Sequence, residues 1–305
     1  AIRPVLSSRP VAPGAVRLLV DRLAVALATY RDPIFANWAP AAEMPDSWES
    51  FEQIALGIRA LFANGEGTTS HFGDAAILDS TNATALLFQA YIAEEDGPPA
   101  NSDSILEVAE RPGRRFGPYE RALSELVKAW NRKDIAGAHT AGHRLLEVVP
   151  QSEWAYMVAL DAISLGRFRE AVELTDRVRE KPGWTANWQY GVIIRDVALH
   201  LLGDFPKELE LAREALRVEP DNRLYLQLES KALAAMGRVT EVNKICDLGF
   251  SLRAEPRAPD WQPCGQAYIE LAAHGHPEAA RSLAQRFIVW RETSSMARVA
   301  ARALD

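Results

Sequence analysis

The sequence predicts an all-α protein, a solenoid of stacked helix–turn–helix hairpins, and three observations predict it. Glycine turns recur at Leu165-Gly166, Leu202-Gly203, Met236-Gly237 and His274-Gly275, about 34 to 38 residues apart. Each closes one amphipathic stretch and opens a second. The first three second stretches end near a proline, at Pro182, Pro220 and Pro256. Units of that period bury their apolar faces on their neighbours.

The elements follow in order. Residues 1–13 carry Pro4, Pro10 and Pro13 and read as an extended arm. Residues 14–31 read as a helix with Leu18, Leu19, Leu23, Val25, Leu27 and Ala28 on its apolar side. Asp32 to Pro40 holds Ile34, Phe35 and Trp38 between two prolines, and reads as a fixed loop plugging the first turn of the array. Ser47 has the chemistry of an N-cap for a helix reaching Phe62. Asn64-Gly65-Glu66-Gly67 is a turn, and a helix through Phe72 and Leu78 follows, ended by Asp79 and Ser80. A less regular pair covers 84–94 and 102–110, separated by a loop with Gly97, Pro98 and Pro99. Arg111 to Arg115 breaks the pattern with local positive charge. From Pro118 the hairpins become regular, at 118–131 with 134–149, 153–165 with 168–180, 185–202 with 205–218, 222–236 with 239–252 and 261–274 with 277–292. A last helix is expected over 293–305. The chain thus divides into an N-terminal arm, helix and loop (1–45), degenerate helical repeats (46–117) and a regular array (118–305).

Composition excludes several classes. The net charge of −7 argues against a general nucleic-acid surface, which needs clustered Lys and Arg. No stretch approaches the 18 apolar residues of a membrane span. The apolar run in Val16 to Thr29 is broken by Arg17, Asp21 and Arg22, unlike a signal peptide. Two cysteines, Cys246 and Cys264, form no disulfide framework; one bridge between them stays open. Cys246 falls at a repeat position suited to a small core residue, so packing is expected of it rather than nucleophilic chemistry. The chain opens on Ala1, as expected of a processed or cloned piece with any upstream anchor out of view.

The regular half resembles the tetratricopeptide repeats. The turn glycine is Gly166, Gly203, Gly237 and Gly275, with Lys133 in its place in the preceding unit. Ile135, Phe168, Phe205 and Val239 follow two residues later. The small residue of the second helix is Ala138, Ala171 and Ala280, replaced by Glu208 and Val242 in the other two units. The first-helix tryptophan, leucine, glycine and tyrosine of the family pattern are mostly missing. The resemblance covers 118–292 and implies a right-handed α-solenoid with a concave face. The stretches Arg31 to Trp38, Ser47 to Phe51, Pro118 to Ala122 and Ser152 to Tyr156 are similar to the C-terminal tetratricopeptide half of bacterial modular transcriptional regulators and serine/threonine kinases. What carries over is the array as a docking surface, in a bacterial periplasm or cytoplasm.

Chemistry-bearing motifs are weak. His139 and His143 lie four apart on one helix and thus on one face, as zinc would require. The residue after the first is Thr140, not the glutamate of a zinc protease, and no third ligand is evident in sequence. They are read as a surface or packing pair. His274-Gly275-His276 near Cys264 is read as a repeat turn. Gly65 to Thr69 lacks the lysine of a phosphate loop. Asn82-Ala83-Thr84 matches a glycosylation triplet that is common by chance. No Gly-x-Ser-x-Gly elbow is present. An enzyme is therefore not expected, nor a cofactor or resident metal.

Helical phase places Arg121, Glu125, Lys128, Asn187, Tyr190, Arg195, Gln227 and Lys231 on the concave side as candidate partner contacts. The Lys and Asn pairs that grip a peptide carboxylate on successive first helices are not found. Trp184, Trp188, Tyr190 and Trp261 are read mainly as packing between repeats, and Trp290 as either a cover for the last repeat or an anchor for a neighbour. The expected function is a non-catalytic scaffold that docks a protein or peptide in a larger bacterial assembly. The alternative is a ligand- or protein-sensing array of a signalling protein.

Overall fold

The computed structural model describes residues 13–62, 68–96, 99–179, 183, 188–252 and 264–302. It is all-helical, at 80% helix, with no strand among the described residues; Asn82 and Arg115 form an isolated bridge. Residues 1–12 of the expected arm, the Gly65 turn, Asn187, Trp184, Trp261, Pro182 and Pro256 lie outside the described residues. The chain divides into two compact units, 1–194 and 195–305.

The first unit begins with α1 (Pro13–Arg31) and the short α2 (Pro33–Ala36). It continues with α3 (Trp48–Phe62), α4 (Thr68–Leu78), α5 (Thr84–Asp96), α6 (Pro99–Ala109), α7 (Pro118–Asn131), α8 (Ile135–Val148), α9 (Trp154–Ser164) and α10 (Phe168–Arg179). From α3 to α10 each helix packs on the next. The division falls within α11 (Gln189–Leu202). The second unit holds α12 (Phe205–Val218), α13 (Arg223–Ala235), α14 (Val239–Ser251), α15 (Ala267–Ala273) and α16 (Pro277–Arg302). There α13 packs on α12, α14 and α15, and α16 packs on α15 and α14. Helices packing on their neighbours in chain order are what a helical repeat requires.

Five hairpin turns share one geometry. Lys133, Gly166, Gly203, Gly237 and Gly275 take positive φ, from 55° to 88°. In each, the N–H of the following residue reaches back across the turn, as in Asp134 N to Ala129 O (3.0 Å) and Arg167 N to Ala162 O (2.8 Å). The left-handed residue bonds three back, as in Lys133 N to Trp130 O (2.8 Å). This pair of bonds is the Schellman motif, which satisfies the last carbonyls of the first helix. Asp134 and Asp204 then cap the second helix through Gly137 N and Lys207 N.

Several boundaries differ from expectation. The Asp32–Pro40 segment is not a loop. Asp32 Oδ1 caps α2 at Ile34 N, and a 3-10 turn follows at Ala39–Ala41. Pro99 belongs to the first turn of α6, where its missing N–H costs nothing. α15 starts only at Ala267, after a turn in which Cys264 takes φ 63°. Residues 293–302 continue α16 rather than forming a separate helix. On α1, Val25 is buried while Leu23 and Leu27 are 46% and 55% exposed, so the expected apolar side is only partly covered.

The core of the first unit is aromatic. Phe35, Trp38, Phe72, Phe88, Tyr119 and Trp154 are fully buried. Trp38 stacks on Tyr119 at 5.5 Å, Phe72 on Phe88 at 5.3 Å, and Trp154 Nε1 donates to the Tyr119 hydroxyl at 3.0 Å. Burying the indole is tolerable because its N–H is paired. Arg115 is bonded to Asp46 (2.7 Å) and Asp79 (2.6 Å), with Arg22 gripping Asp46 through two bonds of 2.8 Å. The local positive charge read in 111–115 is thus partly neutralised within the fold.

Candidate functional site

The expected contact residues separate into two environments. Arg121, Glu125 and Lys128 lie on α7. Arg121 donates to the Phe116 carbonyl at 2.9 Å. Glu125 accepts from Arg144 at 3.0 Å, and Lys128 donates to Glu110 at 2.5 and 2.6 Å. Glu125 and Lys128 line an open groove of about 520 Å³ together with Arg132, Ala136, Gly137, Thr140 and Arg144. Ala129 and Ala141 line it too, and its charged residues are three cations to one acid. Sequence reasoning missed Arg132, at the C-cap of α7, and Arg144, which comes from the second helix of the hairpin. Tyr190 is 45% exposed and lies 5.8 Å from the ring of Trp188, which in turn sits edge-on to Tyr156 at 5.9 Å.

Arg195, Gln227 and Lys231 are interior groups, 7%, 9% and 5% exposed. That corrects their expected place on an open face. For Lys231 the reason is visible at the small-residue position of the repeat, five residues after each left-handed turn residue. Ala138, Ala171, Val242 and Ala280 are buried there, and so is Glu208, at 0%. A carboxylate at that depth needs partners. Lys231 Nζ bonds Glu208 Oε1 at 3.0 Å and also bonds Asp196. His200 Nδ1 meets Glu208 at 3.0 Å, and His200 Nε2 stands 3.4 Å from Glu270. The bond from Glu208 holds the His200 pKa above its ordinary value against the cost of burial. Desolvation pushes the Asp196 carboxyl up to about 7. Burial opposes the charge on Lys231, but its two acids outweigh that and raise its pKa.

His139 and His143 are on one face of α8, their rings 4.6 Å apart. Both Nε2 atoms meet the same oxygen of Glu170, Oε1, at 3.0 and 2.7 Å. Glu170 lies in the first turn of α10, one hairpin later. His139 is buried and His143 half-buried. Burial lowers the pKa of His139 against the pull of Glu170. His274 and His276 flank a positive-φ turn residue as expected, and His274 Nε2 lies 3.5 Å from Glu270. Cys246 and Cys264 are joined in a disulfide, their Cα atoms 5.7 Å apart. The pairing settles the bridge the count left open.

Neither a family model nor a curated protein matches the chain. Among the described residues no helix is long and apolar enough to cross a membrane.

Proposed function

We propose that this protein is a non-catalytic helical-repeat scaffold of tetratricopeptide type, coiled right-handedly, that docks an acidic segment of another protein in the α7–α8 groove. The observation that carries this reading is the groove itself, where Lys128, Arg132 and Arg144 stand among alanine and glycine. Two of the three cations are engaged only in exposed pairs, Lys128 with Glu110 and Arg144 with Glu125. Such pairs are worth about 0–1 kcal/mol, so a partner's carboxylates can replace them at little cost. The small lining residues let a partner backbone approach closely. The disulfide fits an oxidising compartment, where such bonds persist, and favours the periplasm over the cytoplasm.

The test is co-purification from the native host, read by mass spectrometry, with a parallel Lys128→Glu/Arg132→Glu/Arg144→Glu variant. A partner should co-purify with the wild type and be lost from the variant, and its binding should weaken steeply with salt. Retention of the same partner by the variant would remove the groove from the account.

A further inference from the structure

We propose that His139, His143 and Glu170 form a divalent transition-metal site of the zinc class, with two imidazoles and one carboxylate as ligands. The three ligand atoms lie within 4.8 Å of one another. Both histidine Nε2 atoms stand 3.0 and 2.7 Å from Glu170 Oε1. Zinc bonds of about 2.0–2.2 Å in a tetrahedron hold ligand atoms about 3.3 Å apart. The two Nε2–Oε1 separations are within about 0.6 Å of that spacing. The i, i+4 spacing in α8 fixes both rings on one face, and the first turn of α10 brings the carboxylate to them. His139, 5% exposed, forms the dry inner wall. The His143 and Glu170 side chains, 38% and 28% exposed, leave the outer side open for a water or a docked partner's ligand.

The donor set selects the metal class. Nitrogen and carboxylate ligands without thiolate suit Zn²⁺ and its first-row neighbours. Mg²⁺ prefers an all-oxygen octahedron and is not suited. Arg167 sets the condition for binding. Its NH1 lies 3.5 Å from His139 Nδ1 and 3.7 Å from Glu170 Oε2. Once Nε2 binds metal, the proton of a neutral imidazole sits on Nδ1, which then faces a second donor. The guanidinium must turn outward, and its 56% exposure permits that.

Isothermal titration of the tag-free full chain with ZnCl₂, and with MgCl₂ as control, tests the site. One Zn²⁺ per chain is expected, and no Mg²⁺. His143→Ala and Glu170→Gln should each weaken Zn²⁺ binding about 100-fold or more, at or beyond the loss seen on removing a ligand's own support. His200→Ala, in the other histidine cluster, should leave it unchanged, and Arg167→Ala should tighten it. His143 is partly exposed, so its variant should keep the wild-type circular dichroism and denaturation midpoint without metal. No Zn²⁺ uptake, or uptake that survives both His143→Ala and Glu170→Gln, overturns the proposal.

Discussion

Lys231 shows how one substitution in a repeat pattern reorganises an interior. Its ammonium sits between Asp196 and Glu208, all three nearly inaccessible to water. Lys231 is shared by both acids and, of the two, His200 meets only Glu208, so one carboxylate is left with fewer bonds. That is Asp196, whose Oδ1 has no hydrogen-bond partner among the described residues and whose pKa rises from 3.8 to about 7. A raised carboxyl means that the native state binds a proton the unfolded chain has released. Its contribution is complete below pH 3.8 and is lost as pH climbs through about 7. His200, also raised, adds loss of the same sign higher up. The stability difference between wild type and Asp196→Asn should therefore shift against the wild type by roughly 2–4 kcal/mol between pH 4 and pH 7. Urea unfolding of both proteins across that range measures it; parallel curves would show that Asp196 is ionised throughout. Helical phase alone places Lys231, Arg195 and Gln227 on an open face, because a charged or amide residue on a first helix reads as solvated. The informative signal was Glu208 standing where the repeat takes alanine. A carboxylate at a core position implies a buried cation somewhere on a facing helix.

The hairpin turns were the most legible elements, since they depend on a backbone conformation that residue type controls. Gly166, Gly203, Gly237 and Gly275 were readable because L-residues avoid positive φ. Lys133 departs from the glycine pattern yet adopts φ 55°, held by the same Schellman bonds as its glycine counterparts. Holding a side-chain residue there costs about 1–2 kcal/mol, and a glycine recovers part of this while losing more entropy on folding. Lys133→Gly is expected to stabilise the protein by about 0.5–1 kcal/mol, read as a higher urea midpoint with unchanged slope. A lower midpoint would mean that the lysine makes a compensating interaction in the folded chain. The α15–α16 hairpin was less legible. Its apolar pattern extends upstream through residue 261, but periodicity marks only what a helix would bury, and here Cys264 turns the chain before Ala267. The Asp32–Pro40 segment was misread for a related reason: its two prolines suggested a loop, whereas Pro33 and Pro40 both occupy helical first turns.

Across the whole molecule, what escaped the sequence was long-range pairing. Glu170 completes the histidine pair from 27 residues beyond His143, and nothing local to either helix announces the convergence. The cysteines pose the same problem at a separation of 18 residues. Cys246 fills a core position of α14 as the repeat predicts, and Cys264 reaches it from the turn before α15. Both lie in a cluster with Val242, Ala267, Leu271 and Leu283. Their Cα distance of 5.7 Å falls within the range a disulfide spans without backbone movement. α15 is a helix of seven residues, too short to hold itself by backbone bonds, so the link to α14 supplies part of what its length does not. Closing a loop of this size removes about 3 kcal/mol of freedom from the unfolded chain. Reduction should therefore lower the unfolding free energy by about 3 kcal/mol, seen as a drop in urea midpoint by circular dichroism when a phosphine reductant is added. The Cys246→Ala/Cys264→Ala protein should start from the lower midpoint and ignore the reductant. A thiol assay on the native oxidised chain should find no reactive cysteine, and two after unfolding in reductant. Two free thiols in the native protein as isolated would instead leave the α14–α15 junction held by packing alone.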